Sequence, residues 1–127
     1  MILGVGTDIC NENRIKKSLD KFGDKFIEKI CTKTEQEVLF KKANISSSLA
    51  KIFAAKEACV KAIGTGISAE VTWQDIEIYH NTKGKPFVKL SQRAKQSLVN
   101  ENINIEISIS DDEPYAVAFV IIEGLEK

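Results

Sequence analysis

Two acids and one amine in this 127-residue chain have residue types and spacing suited to metal and phosphate chemistry. Glu57 and Lys61 have the i,i+4 spacing and the order that favour an ion pair along a helix, and Asp8 ends a short apolar segment near the start of the chain. Mg²⁺ prefers one or two carboxylates, with phosphate oxygens and water completing its shell. The three residues therefore indicate a magnesium and phosphate site. The alternative is an exposed helical pair and an unrelated turn acid.

Three other features of the sequence bear on such a site. Lys56 falls among apolar residues of the same segment, so either its stem crosses that surface to reach water or its ammonium lies beside an anion. Gly64, Thr65 and Gly66 follow the segment, which is typical of a helix C-cap, whereas a phosphate-binding loop precedes its helix. His80 is the only histidine, which disfavours Ser-His-Asp catalysis.

The elements that must position these residues follow from the hydrophobic pattern. Apolar residues near a period of about 3.6 predict helices at 12–30, with a possible break at Gly23, at 34–42, at about 48–63 and at 91–100. Strands are predicted at 2–9, 73–79, 87–90, 103–110 and 115–122. Thr34 and Glu37 have the spacing of a capping box for the second helix, and a polar loop at 44–48 precedes the third.

This order of elements predicts an α+β fold: one small domain over residues 1–127, with an antiparallel sheet and a long central helix. The last strand is apolar at every position, which predicts a strand covered on both sides. The cover is either the rest of the same chain or a neighbouring subunit.

Composition narrows the class of protein. The net charge is zero, with basic blocks at 41–61 and 83–95 and an acidic one at 101–127, so a general nucleic-acid binder is not expected, although local sites for anions are. No apolar run is long enough to span a membrane, and no signal peptide is recognisable. Three cysteines without metal-ligand spacing predict reduced thiols and a cytoplasmic location.

Several spaced motifs resemble the holo-[acyl-carrier-protein] synthase family, a group of 4′-phosphopantetheinyl transferases. The resemblance extends over essentially the whole chain and is carried by Gly4–Ile9 with Arg14-Ile15, by Phe53–Ile67, by Trp73–Glu77, by Gly84-Lys85-Pro86, and by Ser108–Ser110 before Tyr115-Ala116. It implies transfer of phosphopantetheine from coenzyme A to a serine of apo-acyl carrier protein, with release of adenosine 3′,5′-bisphosphate. It also implies a homotrimer with coenzyme sites between neighbouring subunits.

The resemblance assigns roles to individual residues. Asp8 and Glu57 correspond to the ligands of a Mg²⁺ cofactor and, with Lys61, to the catalytic residues. The implied coenzyme A-binding residues are Lys56, Lys61, Gly64, Thr65, Gly84, Lys85 and Pro86. The serine proton goes to a metal-bound water or to a carboxylate such as Glu57, and the sequence does not choose between them.

A second surface is expected to dock the carrier, because acyl carrier proteins are acidic. Arg14 matches a family position, and Lys17, Lys21 and Lys25 continue a stripe from it if the helix is unbroken at Gly23. The predicted docking residues are Arg14, Lys21, Phe22 and Lys25. The alternative is a solvated helix face.

The chain departs from the family pattern at two positions. Ile52 stands where many relatives have an arginine that helps to hold a coenzyme phosphate, and Asp111 stands where some have a histidine. The lysines that could supply the missing charge are Lys41, Lys42, Lys51 and Lys85.

Two other functions compete with the transferase. One is a non-catalytic module that binds an acidic protein, for which a second carboxylate converging on Glu57 would have no use. The other is a magnesium-dependent phosphohydrolase, which would break down coenzyme A without any carrier.

Overall fold

The computed structural model describes residues 1–98 and 102–125. Its helices are α1 (Glu12–Phe22), α2 (Asp24–Ile30), α3 (Lys33–Leu39), α4 (Ile45–Ile63) and α5 (Gln92–Lys95), with a 3₁₀ turn at Trp73–Asp75. Its strands are β1 (Ile2–Asn11), β2 (Ile76–His80), β3 (Pro86–Leu90), β4 (Ile103–Asp112) and β5 (Tyr115–Gly124). The predicted α+β class with a long central helix is confirmed.

Two antiparallel sheets carry the fold. The larger has the order β1-β5-β4, and β2 with β3 forms the smaller. Helix α4 packs across β1 and β5, where every second side chain of β5 is buried: Ala116, Ala118, Val120 and Ile122. No helix within residues 1–98 and 102–125 is long and apolar enough to cross a bilayer.

Strand β1 and helix α4 approach each other backbone to backbone. A Cβ at Gly4 would lie 1.8 Å from the carbonyl oxygen of Ala62, and one at Gly6 would lie 1.9 Å from that of Ala58. Only glycine fits such a contact, since any larger residue would force the two elements apart. The contact brings Asp8, in the second half of β1, beside Lys61 near the end of α4.

Several helix boundaries differ from those predicted. The break at Gly23 is confirmed, at a φ of 62°, and it separates α1 from α2. The capping box predicted at Thr34 and Glu37 is wrong, because Thr32 and Glu35 form it instead. The predicted loop at 44–48 is the first turn of α4, whose N-cap Asn44 accepts a hydrogen bond of 3.1 Å from the Ser47 N–H.

Differences in the second half of the chain are smaller. The strand predicted at 73–79 begins only at Ile76, after the 3₁₀ turn, and the helix predicted at 91–100 ends at Lys95. The part of that prediction at 99–101 lies outside the described residues. Strands β4 and β5 each extend two residues beyond their predicted ends.

Within residues 1–98 and 102–125, β5 is covered on one face only. The side chains that alternate with its buried residues are partly open to solvent, with Phe119 41% and Val117 38% exposed. Beside them on β1, Val5 and Ile9 are more than half exposed. Of the two covers that the sequence left open, the described part of the same chain supplies one side only, and an apolar sheet face remains open there.

Candidate functional site

The end of β1 and the last turns of α4 bring Asp8 and Lys61 together. Lys61 Nζ lies 3.1 Å from Asp8 Oδ1 and donates a second hydrogen bond, of 3.0 Å, to the Thr7 carbonyl. The Asp8 side chain is 16% exposed, whereas that of Lys61 is 51% exposed. The carboxylate is thus sheltered, and the ammonium lies at the mouth of the site.

Glu57 completes the cluster one helical turn before Lys61. Partial burial raises the pKa of Glu57, and the negative charge of Asp8 raises it further, while the charges of Lys61 and Arg14 act in the opposite direction. Asp8 and Glu57 therefore lie close enough for their charges to interact, and Lys61 contacts Asp8 directly. Arg14, which the sequence analysis placed only on the docking face, also contributes to the electrostatics of the site.

A buried thiol lies behind these charges. Cys10 follows Asp8 by two residues on β1, with only 1% of its surface exposed. Burial raises its pKa, and the charges of Asp8 and Glu57 raise it further against the effect of Arg14. A thiol held in its protonated form is a poor nucleophile and a poor metal ligand. The cluster is therefore an oxygen-donor site.

The donors fit Mg²⁺. Among the residues that the structure describes, no group of three or more His, Cys, Asp or Glu side chains could enclose a metal ion. An ion held here would have two protein carboxylates, from Asp8 and Glu57, and open positions for other oxygens. That is the donor set that Mg²⁺ takes when it is shared with a substrate phosphate.

Lys56 has a different place from the one predicted. Its side chain is 0% exposed, and its ammonium donates to Glu35 Oε1 at 2.6 Å and to the carbonyls of Ile30 at 2.7 Å and Trp73 at 2.9 Å. The prediction that Lys56 binds coenzyme A is wrong, because all three N–H groups are used inside the protein. The sequence left open whether the Lys56 ammonium reaches water or lies beside an anion. The structure shows that it lies beside the buried Glu35 carboxylate.

That anion, the carboxylate of Glu35, was not among the residues predicted for the site. Glu35 is 3% exposed and lies on α3, far from Lys56 along the chain. The sequence does contain a pattern that points to Glu35, since Thr32 and Glu35 have the same capping-box spacing as Thr34 and Glu37.

The glycines and lysine of the predicted coenzyme-binding set lie in turns. Gly64 is the C-cap of α4 in the left-handed conformation, which confirms the predicted cap, and the Thr65 hydroxyl donates to the Gly66 carbonyl at 2.9 Å. Gly84 has a φ of 85° in the β2–β3 turn. Lys85 Nζ lies 3.4 Å from Glu106 Oε1 on β4. The same ammonium lies over the Phe87 ring, 5.0 Å from its centre.

The predicted docking residues are all exposed, but they do not form one stripe. Arg14 and Lys21 lie on α1, and Lys25 lies on α2, beyond the break at Gly23. Phe22 is 54% exposed beside Lys21, whose ammonium lies 5.2 Å from the ring centre. The stripe was conditional on an unbroken helix, and the break at Gly23 removes that condition, while the surface keeps its basic and aromatic side chains.

The two departures from the family pattern lie near further charges. Asp111 pairs with Lys51 at 3.6 Å across β4 and α4. The pKa of His80 is lowered, first by partial burial and then by the charges of Lys42 and Lys51. Lys51 thus lies close to both an acid and a histidine, and its neighbour Ile52 is half-buried.

A family model described as the 4′-phosphopantetheinyl transferase superfamily matches residues 4–120. The chain belongs to this superfamily. A holo-[acyl-carrier-protein] synthase from Caulobacter vibrioides is 45% identical over 132 residues, covering 100% of this chain and 99% of the relative. The resemblance carried by the sequence motifs is confirmed.

Solved structures of superfamily members agree with the fold. The holo-[acyl-carrier-protein] synthase of Neisseria meningitidis is similar with a TM-score of 0.89 at 39% identity, over 97% of this chain and 99% of that one. A holo-(acyl-carrier-protein) synthase of Bacillus anthracis, in complex with CoA (3′,5′-ADP), has a TM-score of 0.83 at 39% identity, over 98% and 99%. This chain therefore has the same architecture as these two enzymes over nearly its full length.

Proposed function

We propose that this chain is a holo-[acyl-carrier-protein] synthase, which transfers 4′-phosphopantetheine from coenzyme A to a serine of apo-acyl carrier protein and releases adenosine 3′,5′-bisphosphate. The observation that carries the proposal is the cluster of Asp8, Glu57 and Lys61 in a chain of this superfamily. Two neighbouring acids with a partly exposed ammonium suit a reaction in which negative charge grows on phosphate oxygens.

Mg²⁺ is the proposed cofactor, with Asp8 and Glu57 as its protein ligands. When bound, it supplies positive charge beside the pyrophosphate of the coenzyme. Fixing the ion from two separate elements, β1 and α4, also fixes the coenzyme relative to the incoming serine.

Lys61 is proposed to act directly on the substrate. Its ammonium is half exposed at the edge of the site, so it can pair with a nonbridging or leaving oxygen of the reacting phosphate. A carboxylate of the site, such as that of Glu57, is one proposed acceptor of the serine proton. A water molecule is the other candidate for that role.

The coenzyme is proposed to reach beyond this cluster. Gly64 and Thr65 lie at the C-terminal end of α4, one turn beyond Lys61, and are within the same part of the fold. Gly84, Lys85 and Pro86 lie on the β2–β3 hairpin instead. A hairpin from a neighbouring subunit would supply this part of the site in the proposed homotrimer.

The open sheet face supports that assembly. An apolar surface contributed by β1 and β5, with Val5, Ile9, Val117 and Phe119 exposed, is of the kind that subunit contacts cover. A trimer centred on this face would cover β5 on its second side.

Replacing Phe119 by Asp tests the trimer. The wild-type chain is expected to sediment as a trimer and the variant as a monomer, because a carboxylate on the covered face would be buried without a partner. Transfer activity should fall with assembly, since each site needs two subunits. Val38→Asp, at an apolar residue on α3 that is 53% exposed, is the matched control and should remain trimeric. A monomeric wild type, or a trimeric and active Phe119 variant, would contradict the assembly.

The corner formed by Arg14, Lys21, Phe22 and Lys25 is the proposed docking surface for the acidic carrier. Lys21→Glu combined with Lys25→Glu is expected to raise the KM for the carrier by about tenfold and to change the KM for coenzyme A by less than about twofold. The effect should shrink as salt is added, because exposed charges are screened. Lys33→Glu with Lys89→Glu makes the same change in net charge at other exposed positions and serves as the control. Equal effects of the two double variants would remove the corner from docking.

Mass spectrometry tests the proposed function. Incubation with coenzyme A, Mg²⁺ and apo-acyl carrier protein should increase the carrier mass by one phosphopantetheine group. Carrier binding without a mass increase would favour the non-catalytic module. Loss of coenzyme A in the absence of carrier would favour the phosphohydrolase.

The three cysteines are buried and unpaired, which is compatible with the proposed cytoplasmic location.

A further inference from the structure

A buried polar cluster lies directly behind the proposed active site, and nothing in the proposed transfer uses it. The Lys56 cluster consists of the Lys56 ammonium, the Glu35 carboxylate and the backbone groups that they bind. Lys56 directly precedes Glu57 on α4. The side chain of Lys56 is 0% exposed and that of Glu35 is 1% exposed.

Each member of the cluster is fully used. Besides Lys56, Glu35 accepts 2.8 Å from the Thr32 N–H through Oε1 and 2.6 Å from the Ile78 N–H through Oε2. Lys56 connects α4 to the end of α2, to α3 and to the 3₁₀ turn, and Glu35 extends the connection to β2. An ammonium with three separate acceptors fixes both the position and the direction of its stem.

Stability alone does not explain such a pair. Burying two charges costs so much desolvation that a well-packed neutral replacement is often as stable as the ion pair or more so. Apolar packing is also non-directional, whereas these hydrogen bonds are directional. The distinctive contribution of the cluster is therefore to orientation.

The orientation concerned is the rotation of α4 about its own axis. Two residues separate Lys56 from Ala58 by about 200° around a helix, so they lie on nearly opposite sides of α4. On the Ala58 side, the glycines of β1 hold the helix against the sheet. On the other side, Lys56 holds α4 against the end of α2, α3 and the 3₁₀ turn. Glu57 projects between these two points of attachment.

We propose that Lys56 is a positioning residue: with Glu35, it fixes the rotation of α4 and thereby directs the Glu57 carboxylate toward Asp8. This inference rests on the proposed role of Glu57 as a metal ligand. It assigns to Lys56 an effect on metal binding, without any contact between Lys56 and the metal or the coenzyme.

A neutral pair tests the inference. Lys56→Met with Glu35→Gln removes both charges, and the glutamine oxygen can still accept a backbone hydrogen bond. The affinity for Mn²⁺, measured from the free-ion resonance signal with coenzyme A and no carrier, is expected to fall about tenfold, as is kcat, while the KM for coenzyme A changes little. Thermal unfolding monitors the fold. Ile27→Val, at a buried residue of α2 outside the cluster, is the control: it lowers stability and should leave Mn²⁺ affinity unchanged.

A folded double variant with wild-type Mn²⁺ affinity and kcat would overturn the inference and leave the proposed function standing. If the double variant does not fold, Glu35→Gln alone retains the ammonium and is expected to weaken Mn²⁺ binding about threefold. Wild-type affinity in that folded variant would equally overturn the inference. Failure of the wild-type protein to transfer phosphopantetheine would instead overturn the proposed function.

Discussion

Glu57→Gln is expected to lower kcat by at least about tenfold and to leave the protein folded, because a neutral amide is a poor ligand for Mg²⁺. Stability should rise slightly at neutral pH. The raised pKa of Glu57 means that folding disfavours its ionised form, so the stability it contributes is present at low pH and is lost as pH rises through its folded-state pKa. Replacing it by an amide removes that cost.

The measurements for this variant are steady-state kinetics with Mg²⁺ varied and thermal unfolding at neutral pH. Glu37→Gln, at an exposed acid on α3, is the matched control and should change neither. A near-normal rate would remove Glu57 from the site, and a loss of stability would mark it as structural.

Lys61→Met is expected to have the other large effect. Methionine retains an apolar stem of similar length and removes the charge, so kcat should fall by about 10²–10³-fold, the range found when one donor to a developing oxyanion is removed. The KM for the carrier should change less than kcat, because Lys61 is not one of the proposed docking residues. Pre-steady-state kinetics with saturating Mg²⁺ measures the chemical step directly.

Lys61→Arg separates charge from geometry. It retains the positive charge beside Asp8 and should recover part of the lost rate, since a guanidinium is bulkier and differently directed than an ammonium. Lys89→Met, at an exposed lysine on β3, is the control for loss of one charge. If Lys61→Met retained a wild-type rate, the reacting phosphate would not depend on this ammonium.

The local part of the site was predictable from the sequence, and the long-range part was not. Helical spacing alone places Glu57 and Lys61 on the same face of α4, so any correct helix prediction puts them near each other. The approach of Asp8 depends on the contact of Gly4 and Gly6 with α4, which the hydrophobic pattern does not encode. For Asp8, the grouping with Glu57 was inferred from its residue type at the end of a strand and then from the resemblance to a family, because periodicity does not relate the two segments.

The errors have the same physical origin. Two overlapping threonine–glutamate pairs fit the capping box equally well, and the true one, Thr32 with Glu35, is distinguished by the ion pair that Glu35 forms with Lys56, 21 residues away. Similarly, a break at Gly23 could be foreseen, but its effect on the docking stripe needed the relative direction of α1 and α2. The cover on the second side of β5 could not be predicted either, because an apolar pattern is the same whether the covering surface belongs to the same chain or to another one.

The most direct test of the account is to locate the metal. Crystals of the protein grown with coenzyme A and Mn²⁺ should show one anomalous peak at each site, with carboxylate oxygens of both Asp8 and Glu57 in its coordination shell at about 2.1 Å, the short distance typical of small divalent cations with oxygen ligands. A metal coordinated by neither carboxylate, or the same metal position and occupancy in crystals of Asp8→Asn and Glu57→Gln variants, would contradict the account.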